Sequence, residues 1–84
     1  MKYFFYGDEC PHCHVVMTLV DKLISEGVEI TKLETWHHPE NAKIFEEKEG
    51  EKCGGVPYFF NEETGKSICG EASENDMRKW AEGK

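Results

Sequence analysis

Lys2-Tyr3-Phe4-Phe5-Tyr6-Gly7-Asp8-Glu9-Cys10-Pro11-His12-Cys13-His14-Val15-Val16 is the stretch on which the reading of this chain turns. Its opening aromatics, halted by Gly7-Asp8, have the composition of a short buried strand over Lys2 to Tyr6. From Pro11 the period changes. Val15, Val16, Leu19, Val20, Leu23 and Ile24 recur at the three-and-four spacing of an amphipathic helix. Pro11 suits a first turn, where its missing N–H is not needed, and Gly27 suits the end. Cys10 therefore falls at the helix cap and Cys13 one turn inside.

Working outward, Val28, Ile30 and Leu33 interleave with polar residues, which predicts a second strand from Val28 to about Glu34 or Trp36. A helix between two strands implies a right-handed crossover and parallel pairing. Pro39 to Glu49 reads as a second helix closed by Gly50, with Glu46-Glu47-Lys48-Glu49 as its solvated end. Val56 to Phe60 is a short apolar strand, and Asn61-Glu62-Glu63-Thr64-Gly65 is a turn into Lys66 to Cys69, a hairpin. Ser73 caps a last helix that buries Met77, Trp80 and Ala81. The order is β-α-β-α-β-β-α, an α/β arrangement without repeats or linkers.

Eighty-four residues suit one domain, spanning 1–84, with a small core. Seventeen acidic against ten basic residues leave a formal charge of −7 with no basic stripe, so neither nucleic acid nor an anionic membrane is an expected partner. No apolar run approaches the ~18 residues of a spanning helix. The opening segment meets Asp8 and Glu9 too soon for a secretory signal, and a cytoplasmic, monomeric protein is expected.

The four cysteines, at 10, 13, 53 and 69, argue for chemistry rather than stapling. A Cys-x-x-Cys bridge closes a tiny loop and constrains the unfolded chain little, whereas a pair placed after a strand and opening a helix in a β-α-β pattern is a redox arrangement. Thiols attack disulfides only as thiolates, and unpaired N–H groups at a helix start favour that charge on Cys10. Cys13 is then placed to resolve the mixed disulfide. His12, when cationic, adds to the effect, and Asp8 and Glu9 oppose it.

With these residues in view, the whole chain resembles the thioredoxin and glutaredoxin superfamily. Phe4 to His14 is similar to that family's strand, loop and active-site helix. Val56-Pro57 stands where the family keeps a cis-proline, Gly70 is similar to the glycine before the last helix of glutaredoxins, and Pro39 to Phe45 looks like the second helix. The resemblance implies a thioredoxin fold, with a four-stranded mixed sheet flanked by three helices. It implies Cys10 as nucleophile, Cys13 as resolving thiol, the two together as the redox disulfide, Pro11 and His12 as tuning residues, and Val56 and Pro57 as the substrate-binding segment. It further implies a thiol-disulfide oxidoreductase, working as a reductant on disulfide-containing proteins, with glutathione or a reductase for recycling and no cofactor or metal. The chain departs from glutaredoxins in carrying Asp8-Glu9 before Cys10, where many of them place a basic residue, and in Gly70-Glu71-Ala72-Ser73, which lacks their doubled glycine.

Cys53 is the candidate auxiliary thiol, four residues before Pro57. The alternative function is a metal- or iron-sulfur-binding or transfer module built on Cys10 and Cys13, for which Cys53 or a histidine is the candidate further ligand. Cys69, just before Gly70, could also approach the rim of the site. His14, His37 and His38 read as surface side chains, and Trp36 and Trp80 as packing residues.

Overall fold

A computed structural model describes residues 1–49 and 53–83. Strand β1 (Lys2–Tyr6) leads into helix α1 (Pro11–Ser25), followed by β2 (Thr31–Glu34), α2 (Pro39–Glu49), β3 (Tyr58–Asn61), β4 (Ser67–Cys69) and α3 (Glu74–Glu82). The strands form one mixed sheet in the order β2-β1-β3-β4. β1 pairs with β2 in parallel and with β3 antiparallel, and β3 pairs antiparallel with β4. This is the expected thioredoxin/glutaredoxin-like arrangement of elements.

Alternation along β1 divides the molecule into two layers, because successive side chains leave a strand on opposite faces. Phe4 points to one face, where it stacks on Phe59 at 4.8 Å and packs with Val16, Val20 and Leu23 of α1 and with Met77 and Trp80 of α3. Phe5 points to the other, where its ring lies 5.2 Å from Phe45 of α2 and 6.3 Å from Tyr58. Of the stripe predicted for α1, Val16, Val20 and Leu23 are buried and Leu19 and Ile24 partly so, but Val15 is exposed; on α3 Met77 and Trp80 are buried and Ala81 is partly covered. Ser73 caps α3 as expected, its Oγ accepting from the Asp76 N–H at 3.1 Å.

Three boundaries differ from expectation. β2 starts at Thr31 rather than Val28, because the Val28 N–H is used to close α1, donating to the Leu23 carbonyl at 3.0 Å. β3 starts at Tyr58 rather than Val56, and Val56 and Pro57, joined by a cis bond, lie outside the strand. β4 begins at Ser67, one residue after the expected Lys66. The expected stop of α2 at Gly50 lies outside the described residues.

Candidate active site

Cys10 occupies the N-cap of α1 with extended backbone, and Pro11 takes the first helical position. The tight turn that delivers it is closed by the Cys10 N–H donating to the Gly7 carbonyl at 3.0 Å. The Cys13 N–H donates to Cys10 Sγ at 3.3 Å, so the sulfur fills the capping role usually taken by an oxygen. The positive end of the helix dipole lies at the same sulfur. Both cysteines are thiols in this structure and both are nearly covered, at 4% exposure for Cys10 and 1% for Cys13.

The two thiols are not equivalent. Burial, reinforced by the hydrogen bond and charge of Cys10, pushes Cys13 up from 9.0 to about 12, with a nearby Gly7 backbone donor acting the other way. Cys13 therefore stays a neutral thiol at ordinary pH. The sulfur at the cap and the one a turn inside thus sit in different surroundings.

The cis Val56-Pro57 segment lies against the capping sulfur, with Cys10 Sγ 3.9 Å from the Val56 carbonyl it faces. The Pro57 carbonyl accepts from the Gly70 N–H at 2.9 Å, which carries the β3-β4 ladder one bond beyond the strands. From Gly70, at φ +91°, the chain turns so that Glu71 Oε2 meets His12 Nδ1. The motif is thereby touched from two sides, by Val56 at Cys10 and by Glu71 at His12.

Cys53 is not a free auxiliary thiol. It forms a disulfide with Cys69, the Cα atoms 5.5 Å apart. The reason is topological: Cys69 ends β4 opposite Tyr58, the first residue of β3, so the bent segment that leads into β3 lies beside it. A set of metal ligands made of Cys10, Cys13 and Cys53 is excluded in this state, because the Cys53 sulfur is already bonded.

Several polar residues form a frame that the sequence did not announce. Glu34, 5% exposed, receives the N–H groups of Asp8 (2.9 Å) and Trp36 (3.2 Å) on Oε2 and that of His37 (2.7 Å) on Oε1, where His38 Nδ1 also meets it at 3.0 Å. Burial pushes its pKa up, but these partners outweigh it and bring the carboxyl down to about 2. One carboxylate thus ties the loop before Cys10 to the loop after β2. Asp8, Glu34 and His37 could each turn one donor atom toward a common point, but both Glu34 oxygens are already committed to hydrogen-bond donors, and no cysteine belongs to the group.

Glu49 was expected at a solvated helix end and is instead 4% exposed, its Oε2 accepting from the N–H groups of Cys53 (2.8 Å) and Gly54 (3.0 Å). Helical spacing held the clue, since Glu49 follows Ala42 and Phe45 at three-and-four intervals on the inner face of α2. The histidines are exposed as expected, yet engaged: His37 with Glu9 at 2.7 Å, His38 with Glu34, and His14 Nε2 with the Asp8 carbonyl. Trp80 is core. Trp36 is 53% exposed and covers the backbone of Gly7, where a Cβ would fall inside the indole ring.

Among solved structures, the chain is similar to the glutaredoxin grx-1 of Archaeoglobus fulgidus, with a TM-score of 0.69 over 94% of this chain and 83% of that one at 18% identity. Likeness at that identity is a likeness of fold. No protein family and no curated protein matches the sequence. No helix among the described residues is long and apolar enough to cross a membrane.

Proposed function

We propose that the protein is a thiol-disulfide oxidoreductase whose centre is the Cys10-Cys13 dithiol. The observation that carries this reading is the capping position of Cys10, with the Cys13 N–H on its sulfur and the Val56 carbonyl facing it across 3.9 Å. A glutaredoxin-like frame agrees with it.

Cys10 thiolate attacks one sulfur of a partner disulfide. A Cys10–partner bond forms, the partner's own S–S bond breaks, and the second partner sulfur leaves as a thiolate that takes a proton. Cys13, held protonated by its burial, loses its proton only as it attacks Cys10 Sγ. The partner's first sulfur is expelled, and the protein is left with a Cys10–Cys13 disulfide. The partner's chain pairs along the Val56-Pro57 segment in extended form, so main-chain hydrogen bonds align its disulfide with Cys10. Pro11 sets the helix start, and His12, in contact with Glu71, supplies a polar wall beside the sulfur.

Disulfide-containing proteins are the proposed substrates, reduced in a reducing cytoplasm, with glutathione or a separate reductase restoring the dithiol. The acidic Asp8, Glu9 and Glu71 around the motif favour a partner other than an acidic tripeptide, and so a reductase. A Cys13→Ser variant should accumulate a mixed disulfide through Cys10 when offered a disulfide protein. Peptide mapping that finds the bond at Cys13, or no trapped species beside active wild type, would overturn the assignment. A reduction potential near −270 mV marks a reductant, and one near −120 mV an oxidant.

A further inference from the structure

The Cys53–Cys69 crosslink joins the two segments that touch the motif. On one side, Cys53 begins the stretch that passes through Gly54 and Gly55 to Val56, whose carbonyl faces Cys10 Sγ at 3.9 Å. On the other, Cys69 is followed by Gly70, bonded to the Pro57 carbonyl, and by Glu71 in contact with His12. Cys69 is exposed on an edge strand and Cys53 is half-buried, whereas Cys10 and Cys13 are covered. A small thiol in solution thus has open approach to the crosslink and little to the dithiol.

We propose that Cys53–Cys69 is a second redox site, reducible by low-molecular-weight thiols such as glutathione, whose state sets how firmly the cis-proline segment is held for a substrate. A thiolate attacks Cys69 Sγ, the Cys53–Cys69 bond breaks, and Cys53 leaves as a thiolate and is protonated. A second thiolate attacks the small-thiol sulfur of the resulting mixed disulfide, freeing Cys69 and forming the small-molecule disulfide. The crosslink gains two electrons and two protons, and two small thiols lose them.

Once it opens, the Val56 side is held only by the Glu49 hydrogen bonds to Cys53 and Gly54 and by the Gly70–Pro57 bond, which break and re-form more often when the segment is no longer covalently fixed to the Glu71 side. Two effects follow. Cys10 is less covered, and the segment that pairs with the substrate is less preorganised, so part of the binding energy goes into ordering it. The second effect rests on the function proposed above, and the first does not.

The test combines a graded series of glutathione redox buffers with a Cys53→Ala/Cys69→Ala variant. After acid quench and alkylation, peptide mapping should show Cys53–Cys69 and Cys10–Cys13 opening at different glutathione ratios. Iodoacetamide should modify Cys10 at least about fivefold faster in the reduced variant than in wild type with the crosslink intact, and KM for a peptide disulfide should rise about as much with kcat within about twofold. If the variant does not fold, wild-type amide exchange across the same buffers decides, with protection at Cys53, Gly54 and Gly70 falling as the crosslink opens. A crosslink that survives fully reduced glutathione, or equal Cys10 alkylation and amide protection in both states, overturns the proposal. Absence of turnover in both forms alongside gated alkylation would instead overturn the oxidoreductase reading and leave the redox site standing.

Discussion

Removing the Cys53–Cys69 bond tests how much of this small fold depends on a single covalent tie. The perturbation is Cys53→Ser/Cys69→Ser, which deletes the bond and keeps side chains of similar size. The two residues are 16 apart in sequence. Closing a loop of that length restricts the unfolded chain by roughly 3 kcal/mol at 25 °C. For a chain of this length the whole folding free energy is about 4–13 kcal/mol, so the variant stays folded at 25 °C but loses a large share of its margin. Each kcal/mol moves the midpoint of such a domain by about 4–8 °C, so the melting temperature should fall by about 12–24 °C. Thermal unfolding followed by circular dichroism, with and without a reductant, is the assay. Wild type should drop to the variant's midpoint when reductant is added, and the variant, kept with Cys10 and Cys13 as thiols as they are here, should not respond. A wild-type midpoint indifferent to reductant, or a variant within about 3 °C of oxidised wild type, would refute the reasoning.

Three further outcomes are expected. Glu34 has a folded-state pKa held at about 2 against an ordinary 4.5, so the stability it contributes is present above 4.5 and is lost as pH falls toward 2. The difference between wild type and Glu34→Gln in urea unfolding should be flat near neutrality and shrink across that window, and a difference independent of pH would contradict the role given to its charge. Because burial keeps Cys13 protonated up to about 12, release of the partner from a Cys10 mixed disulfide should quicken with pH, approaching tenfold per unit between roughly pH 6 and 9 in stopped-flow measurements. A plateau in that range would show that Cys13 ionises far more readily. Gly7→Ala forces a methyl group into the Trp36 indole, which should destabilise the fold by about 1–3 kcal/mol and shift the tryptophan emission to the red; unchanged emission would mean that the ring does not rest on Gly7.

The sequence was most legible where a periodic pattern met a boundary residue. α1 could be read from its apolar stripe and Pro11, α2 from Pro39, and α3 from Ser73 and its acidic first turn, because these signals are local. Strand ends were read less well. Val28 looks like strand by composition, yet its N–H serves the end of α1, a choice made by a hydrogen bond that hydrophobic alternation does not encode. The cysteine motif was visible because its two members lie one helical turn apart. The Cys53–Cys69 pair was not, since their meeting depends on the hairpin register that sets Cys69 opposite Tyr58. Glu34 and Glu49 were hidden for a related reason: a carboxylate is ordinarily solvated, and only the convergence of backbone N–H groups from the loop that follows each of them, joined at Glu34 by that of Asp8, makes burial tolerable.

The sheet's outer strands also bear on how the molecule behaves when concentrated. β2 has four residues and carries Lys32, exposed and paired with Asp21 of α1, and β4 has three residues and follows the exposed Lys66. A neighbouring chain trying to extend the sheet would find room for only a few ladder bonds on either side, next to a lysine that must surrender its water. Crowded copies of this protein should therefore stay dispersed instead of zipping edge to edge. On the function proposed above, an extended partner would instead meet the short segment beside Cys10, where a brief encounter suffices for an exchange of sulfur bonds.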